Sequence, residues 1–264
     1  MSSSRRDVTF SIQKLRDRLF EPVGTNFPEP PDLLYHYSTS NGVLGIVSEK
    51  KLWASNLLFM NDSSEIENGT RIFDGAIRNA ERAGLLDDDG EPFSDWGING
   101  PEFNISFGIF GVCFSELGDD LSQWRAYGQA GGYSLGFSGL ELQAMHSRGI
   151  ATLDQVIYDE LRKVSIAEAT VSAAIQEWRL LKAGPAKTLK QRTKAFRDVL
   201  EHTIRHCICI MKHHSFAAER EWRLFVANAE RDDGARFAIG SDARQLSHTS
   251  KFQSSRGEGE FCAR

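Results

Sequence analysis

The sequence predicts an α+β fold. Short segments of alternating or continuous apolar residues, typical of strands, occur both before and after long segments in which apolar residues recur at helical spacing. The chain has 264 residues, of which 41% are hydrophobic, which is enough to form a sizeable core and is far from the composition of disordered proteins. Strands and helices mixed in this order are typical of the α+β class.

The first half of the chain alternates helices with short strands. Ile12, Leu15 and Leu19 recur at helical spacing and predict a helix over 8–20. Four prolines follow within ten residues, and we interpret them as a stiff linker; they are Pro22, Pro28, Pro30 and Pro31. Strands are then predicted over 33–38 and 51–54, and helices over 41–48 and 64–83.

The second half predicts further strands on either side of a long helical segment. Tyr133, Leu135 and Phe137 alternate with small or polar residues, as in a half-buried strand. The predicted strands are 109–115, 133–137, 156–159 and 222–226, and a short helix is predicted over 121–127. Between them, two blocks of helical periodicity are separated by Gly184 and Pro185, and the second block continues to Met211.

These elements divide the chain into three parts. Residues 1–32 form the N-terminal helix and proline-rich linker, and residues 33–244 form a single α+β domain with a helical insertion at about 161–211. Residues 245–264 follow neither the helical nor the strand period. We therefore expect this tail to be exposed, and either disordered or truncated.

Composition excludes several functional classes. With 31 Lys and Arg against 36 Asp and Glu, the net charge is −5 and the basic residues are scattered, so we expect no general basic surface for duplex nucleic acid and no attraction to an anionic membrane. The longest apolar stretches fall short of the roughly 20 residues of a membrane span. Four unevenly placed cysteines, with no apolar leader before them, favour a reduced, cytoplasmic protein.

Two polar motifs flank the predicted strands. On a strand, His36 and Ser38 share one face while Tyr37 points the other way, so an imidazole and a hydroxyl can line a cleft. The alternative is a histidine at the edge of the core that bonds to backbone.

If extended, Glu219 and Glu221 also point the same way and can act on one substrate. For this pair the alternative is a solvated strand entrance with salt bridges.

A third motif lies on the short helix predicted over 121–127. This helix combines an indole that can stack, a cation and a hydroxyl, contributed by Trp124, Arg125 and Tyr127. Ser115 precedes it at the end of a predicted strand. A purely structural tryptophan is the alternative explanation for Trp124.

In combination, these motifs resemble the bacterial domain-of-unknown-function family number 2971. The resemblance runs from Leu34 to about Val226. The segments that carry it are Tyr35-His36-Tyr37-Ser38, Leu52-Trp53-Ala54-Ser55, Asn61-Asp62 with Glu65, Ser122-Gln123-Trp124-Arg125 with Tyr127-Gly128, Gly136-Phe137, and Phe216 with Glu219-Arg220-Glu221-Trp222-Arg223. Their layout is similar to the ADP-ribosyltransferase fold, which implies a mixed or antiparallel split sheet around a cleft for NAD as a co-substrate. We expect no metal.

The resemblance also implies roles for the charged residues. Glu221 would stabilise the positive charge that develops as nicotinamide leaves, and Glu219 would orient or deprotonate the acceptor. Arg125 would meet the pyrophosphate of NAD. The acceptor, whether protein, nucleic acid or small molecule, is not specified by these residues.

The remaining implied roles concern NAD binding. His36 would hold a ribose hydroxyl, and Tyr37 or Trp124 would stack on an aromatic ring of the dinucleotide. Ser38 and Tyr127 belong to the same predicted binding set. The position on the middle strand is open, because Ser115 and Tyr133 both fit it.

Two other functional classes compete with a transferase. A metal-dependent hydrolase is suggested by His202, His206, Cys209 and His213, which would form one stripe on the second long helix. The stripe would span roughly 16 Å at 1.5 Å per residue, so one ion could bind only an adjacent pair. A non-enzymatic recognition module in a bacterial defence or toxin setting is the other alternative.

Overall fold

The computed structural model describes residues 12–24, 28–57, 63–86, 93, 109–127, 131–147, 151–184, 186–227 and 236–238. The chain divides into two compact units. The helical unit is composed of Met1–Asn26, Thr70–Trp96 and Leu161–Ile208, and the sheet unit of Phe27–Gly69, Gly97–Glu160 and Cys209–Arg264. The predicted tail, 245–264, lies outside the described residues.

The described elements confirm the α+β class. The strands are β1 Leu33–Thr39, β2 Lys51–Trp53, β3 Ser55–Asn56, β4 Ile109–Ser115, β5 Gly132–Ser138, β6 Thr152–Gln155, β7 Glu221–Ala227 and β8 Arg236–Ala238. The α-helices are α1 Ile12–Gly24, α2 Ser40–Glu49, α3 Ser63–Arg82, α4 Leu121–Tyr127, α5 Gly139–Ser147, α6 Glu160–Lys182 and α7 Leu189–Cys209. Short 3-10 helices cover Ala186–Thr188 and His214–Glu219. None of the described helices is long and apolar enough to cross a membrane.

The main sheet is antiparallel in all its described pairings. Its order is β5-β1-β4-β7-β6, with β3 also paired to β4. β1 meets β4 at the pair Tyr35 and Ser115, whereas β3 pairs with the other end of β4, at Gly111 and Phe110. Strands β2 and β8 form a separate two-stranded sheet.

The strand register assigns side chains to two faces of the main sheet. Tyr35, Ser115 and Glu221 lie in one row across β1, β4 and β7, and residues paired across antiparallel strands share a face. We call this face the site face; Tyr37, Cys113 and Arg223 belong to it by alternation. The opposite core face carries His36 together with apolar core residues that include Leu34, Val112, Phe114, Trp222 and Leu224.

The helical unit is built around large apolar side chains on α1, α6 and α7. Leu19 and Phe196 are fully buried, and the rings of Trp178 and Phe196 lie 5.3 Å apart. Arg18 donates to Glu177 through two nitrogens, with the Nη2 to Oε2 distance at 2.6 Å. A paired guanidinium therefore joins α1 to α6 beside the apolar contacts.

Three predicted element boundaries are wrong. Helix α1 continues through Pro22 to Gly24, so this proline lies within the last turn and does not end the helix before it. The strand predicted over 156–159 is replaced by β6, which ends at Gln155, its partner being Trp222. Helix α7 ends at Cys209 rather than at Met211. The next residue, Ile210, bonds outside the helix, because its carbonyl accepts from the Ile157 N–H at 2.7 Å.

A glycine substitution tests how the start of β1 is held. Gly139 begins α5 and its N–H donates to the Asp32 carbonyl at 3.0 Å, while a Cβ at Gly139 would overlap the carbonyl oxygen of Pro31. We expect Gly139→Ala to lower the free energy of unfolding by about 1–3 kcal/mol. The matched control is Gly45→Ala in α2, where an added Cβ would meet nothing within 4 Å. For this variant we expect the free energy of unfolding to rise by up to about 1 kcal/mol. Urea denaturation of both variants checks this; equal shifts would contradict it.

Candidate functional site

The site begins at a sharp turn before β7. The 3-10 helix ends at Glu219, and Arg220 adopts a left-handed conformation with φ 45° and ψ 52°, which is costly for a residue other than glycine. Two backbone bonds stabilise it: the Arg220 N–H donates to Ala217, and its carbonyl accepts from Glu116 at 3.2 Å. The turn brings Glu219 and Glu221 to the same side of the chain.

Ser115 fixes this turn from the neighbouring strand. Its hydroxyl donates to the Glu219 carbonyl at 2.8 Å and accepts from the Leu117 N–H at 3.1 Å. The side chain is 2% exposed. Ser115 lies in the same row as Glu221 but stabilises the turn, because its one hydroxyl proton is already donated to the Glu219 carbonyl.

Four charged side chains meet at the head of β7, and we call them the carboxylate cluster: Glu219, Glu221, Lys212 and Arg223. Lys212 Nζ donates to Glu219 Oε2 at 2.8 Å and to Glu221 Oε2 at 3.0 Å. Arg223 donates to both oxygens of Glu221, from Nε at 2.7 Å and from Nη2 at 3.2 Å. The two carboxylates converge as the sequence suggests, but across a turn and not along an extended strand.

The two carboxylates differ in access to solvent. Glu221 is 4% exposed, whereas 21% of the Glu219 side chain is accessible. Burial raises the pKa of Glu221, but the charges of Arg223 and Lys212 and their hydrogen bonds more than offset this and lower it to about 2. Glu221 is therefore ionised at neutral pH, and Glu219 is the carboxylate that a ligand can reach.

Neutral hydroxyl and thiol groups surround the cluster. Burial, then the charges of Cys113 and Glu221, raise the pKa of Tyr127 to about 12. The Tyr158 hydroxyl accepts from the Glu221 N–H at 3.0 Å, and its pKa is raised by burial and by Glu221. The pKa of the Cys113 thiol is also well above its usual value, first through burial and then through Glu221. These three groups stay protonated at neutral pH and can act as hydrogen-bond donors.

Helix α4 is started by Asp120 and ends at Tyr127 beside the cluster. Asp120 Oδ1 accepts from the N–H groups of Ser122 at 2.7 Å and Gln123 at 3.1 Å, which is N-terminal capping. Hydrogen bonds from Ser122 and Gln123 hold the pKa of Asp120 below its usual value. Arg125 lies exposed on this helix.

Trp124 is a fixed, half-buried indole on α4. Its Nε1 donates to Asp119 Oδ1 at 2.7 Å. Its ring packs against Tyr37 in a T-shaped arrangement, with the ring centroids 4.8 Å apart. Tyr37 is itself 6% exposed and its hydroxyl donates to Leu117 while it accepts from Asp120. Tyr37 therefore supports Trp124, and the half-buried Trp124 offers a ligand an aromatic ring to stack on.

His36 lies on the core face and is not brought together with Glu221. Its Nδ1 donates to the Cys113 carbonyl at 3.0 Å, and its ring lies 5.9 Å from Phe114. Burial lowers the pKa of His36, although the backbone bond raises it in part. Ser38 and Tyr133, paired across β1 and β5, share this face. Of the two middle-strand alternatives, Ser115 lies on the site face and Tyr133 does not.

Lys212, which joins both carboxylates, was not predicted from the sequence. A signal was present, because Lys212 directly follows the apolar run from Cys207 to Met211. A lysine is almost never buried unless it is paired, so a cation that ends a buried run predicts a carboxylate partner. The identity of that partner follows only from the contacts made at the turn before β7.

The predicted histidine stripe is wrong in its extent, since α7 ends before His213. His213 instead starts the next 3-10 helix and accepts from the Ser215 N–H. His202 and His206 pack on Phe20, with ring centroids 5.7 and 5.1 Å apart. In the described part of the chain, no three His, Cys, Asp or Glu side chains are grouped as a metal would require.

Residues 123–224 match the model of a family described as protein of unknown function (DUF2971). The match begins in α4 and ends within β7, so it contains Trp124, Glu219 and Glu221. The family resemblance predicted from the motifs is confirmed over these residues. No curated protein and no solved structure matches the chain significantly.

Glu221 is expected to make folding sensitive to acid. Its pKa is about 2 in the folded protein against an ordinary value of 4.5, so the unfolded chain takes up this proton first. The stabilisation, about 3 kcal/mol, is fully present above pH ~5 and is lost as the pH falls from about 5 to 2. We expect a steeper loss in wild type than in Glu221→Gln, measured by urea denaturation at each pH, with Glu141→Gln as the control. Equal slopes would contradict the buried ion pair.

His36 is expected to act on stability alone. His36→Ala removes the bond to Cys113 and opens a cavity beside Phe114, so the free energy of unfolding should fall by about 2–4 kcal/mol. His36→Asn keeps a donor and should lose less. Urea denaturation measures both variants. A His36→Ala variant with wild-type stability would contradict this assignment.

Proposed function

We propose that the sheet unit binds NAD and transfers its ADP-ribosyl group to an acceptor, releasing nicotinamide. The single observation that carries this proposal is the convergence of Glu219 and Glu221 at the head of β7, next to the end of α4. The resemblance of these motifs to the ADP-ribosyltransferase layout supports the choice of NAD. Paired carboxylates are also the groups that glycosyl transfer requires.

The reaction breaks the bond between C1′ of the ribose and the nicotinamide nitrogen. The bonding electrons leave with nicotinamide, which becomes neutral, and positive charge develops on the ribosyl group. The acceptor then forms a bond to C1′ and loses its proton to a carboxylate or to water. A preorganised carboxylate stabilises charge that is absent from the bound substrate, so it lowers the barrier selectively.

Differences in exposure assign separate roles to the two carboxylates. Glu219 is accessible, so it is the group proposed to face the ribosyl centre. Glu221 is enclosed by Arg223 and Lys212, so it is proposed to maintain the local charge balance and anchor the cluster. This exchanges the roles that the family resemblance implies.

The remaining contacts are proposed on α4. Trp124 is held by Tyr37 and Asp119, so it offers a rigid face for stacking on a ring of the dinucleotide. Arg125 is exposed and can meet the pyrophosphate. Tyr127 remains protonated and can donate a hydrogen bond to a ribose hydroxyl.

A non-enzymatic recognition module is the second candidate. It is favoured by the charge compensation of Glu221, which is buried and bonded through both oxygens to cations. A carboxylate in this state contributes to a stable turn without catalysis. Such a module would bind its partner without consuming NAD.

Glu219→Gln is expected to abolish most of the proposed activity. The substitution keeps the shape and removes the charge, and losing one such electrostatic contact typically costs about 100- to 1000-fold in rate. Trp124→Ala should instead weaken NAD binding by about tenfold, since stacking on a base contributes about 1–3 kcal/mol. Calorimetry measures NAD binding, and chromatography measures nicotinamide release with a cell lysate as the acceptor source.

Glu141→Gln, an exposed carboxylate on α5, is the matched control and should keep wild-type activity. If wild type binds no NAD at millimolar concentration, the transferase proposal fails and the recognition module replaces it. If wild type and Glu219→Gln release nicotinamide equally fast, the assignment of Glu219 fails.

A further inference from the structure

Lys212 occupies the centre of the carboxylate cluster. Its Nζ is within 3.0 Å of an oxygen of each carboxylate, Glu219 and Glu221, and it lies 4.9 Å from the centre of the Phe216 ring. The residue is 9% exposed. Its backbone N–H donates to the Ile157 carbonyl at 3.1 Å, so both ends of this residue are anchored.

The two carboxylates depend on Lys212 to different degrees. Arg223 already binds both oxygens of Glu221 in a two-nitrogen fork, so Glu221 remains held when Lys212 is removed. For Glu219, the ion pair with Lys212 opposes repulsion from the neighbouring Glu221 charge. Like charges this close in a partly buried site repel strongly. Without the ammonium, this charge no longer opposes the repulsion from Glu221, so we expect the Glu219 carboxylate to shift away from Glu221.

We infer that Lys212 is a positioning residue that acts through Glu219. Its ammonium group holds the Glu219 carboxylate in the orientation in which it would contact a bound ligand. The inference rests on the proposed function for its kinetic consequence, and on the cluster geometry alone for the placement of Glu219. The described neighbours of the cluster include three titratable groups, Tyr127, Tyr158 and Cys113. They stay protonated at neutral pH and cannot replace the cation.

The kinetic test uses the full chain and nicotinamide release from NAD. Lys212→Met keeps the length and packing of the side chain but removes the charge, and we expect kcat to fall about 10- to 100-fold with KM for NAD changed less than about threefold. Lys212→Arg restores a cation and should recover kcat to within about tenfold of wild type. Lys212→Met/Glu219→Gln should be no slower than Glu219→Gln alone, because both changes remove one function.

A second measurement keeps the inference testable if wild type does not cleave NAD. Urea denaturation is applied to wild type, Lys212→Met, Glu219→Gln and the double variant that combines them. Together these give the coupling between Lys212 and Glu219, which we expect to be about tenfold in the folding equilibrium constant. No cleavage together with this coupling would reject the proposed function and retain the placement of Glu219 by Lys212. Absence of coupling would overturn the inference, as would unchanged kcat in Lys212→Met or an inactive but folded Lys212→Arg.

Discussion

The buried ion pair between Glu221 and Arg223 is the interaction on which the rest of the candidate site depends. A carboxylate as enclosed as Glu221 is tolerated only when both oxygens are paired, and Arg223 supplies that pairing from the same strand. Arg223 also donates to the carbonyl of Cys209, the last residue of α7. One guanidinium thus pairs with a buried charge and a helix terminus together, and removing Arg223 would leave Glu221 without the fork that binds both of its oxygens.

The two faces of the antiparallel sheet carry different residues: one face packs the apolar core, and the other carries the charged cluster. Alternation along β7 directs Trp222 and Leu224 into the apolar core and Glu221 and Arg223 to the site face. The same alternation along β1 sends His36 to the core. A register change of one residue would exchange these sets and expose the core. The charged cluster is therefore held by the packing on the opposite face.

Local pattern was sufficient for most of the fold and for part of the site. Apolar alternation located β1, β4, β5 and β7, and helical periodicity located α3 and α6, because side-chain spacing on these elements depends on local geometry. It also marked Glu219 and Glu221 as a pair. Lys212 was not predicted, because the turn that follows it decides which carboxylates it meets, seven and nine residues further along the chain, and spacing alone does not specify that turn. His36 was grouped with Glu221 because the pairing register, which decides which residues of different strands share a face, is not encoded in the spacing of either motif.

By itself the sequence determined the α+β class, the polar pair before β7, and the match of residues 123–224 to one family model. Only the tertiary structure decided which carboxylate is accessible and which is buried and paired with cations. That distinction arises from the left-handed Arg220, the bridge from Ile157 to Met211, and the cations they align. The bridge joins segments far apart in the chain, whereas Lys212 and Arg223 lie within nine residues of the carboxylates they pair with. In both cases the free energy of the contact depends on burial and distance, which residue order alone does not specify.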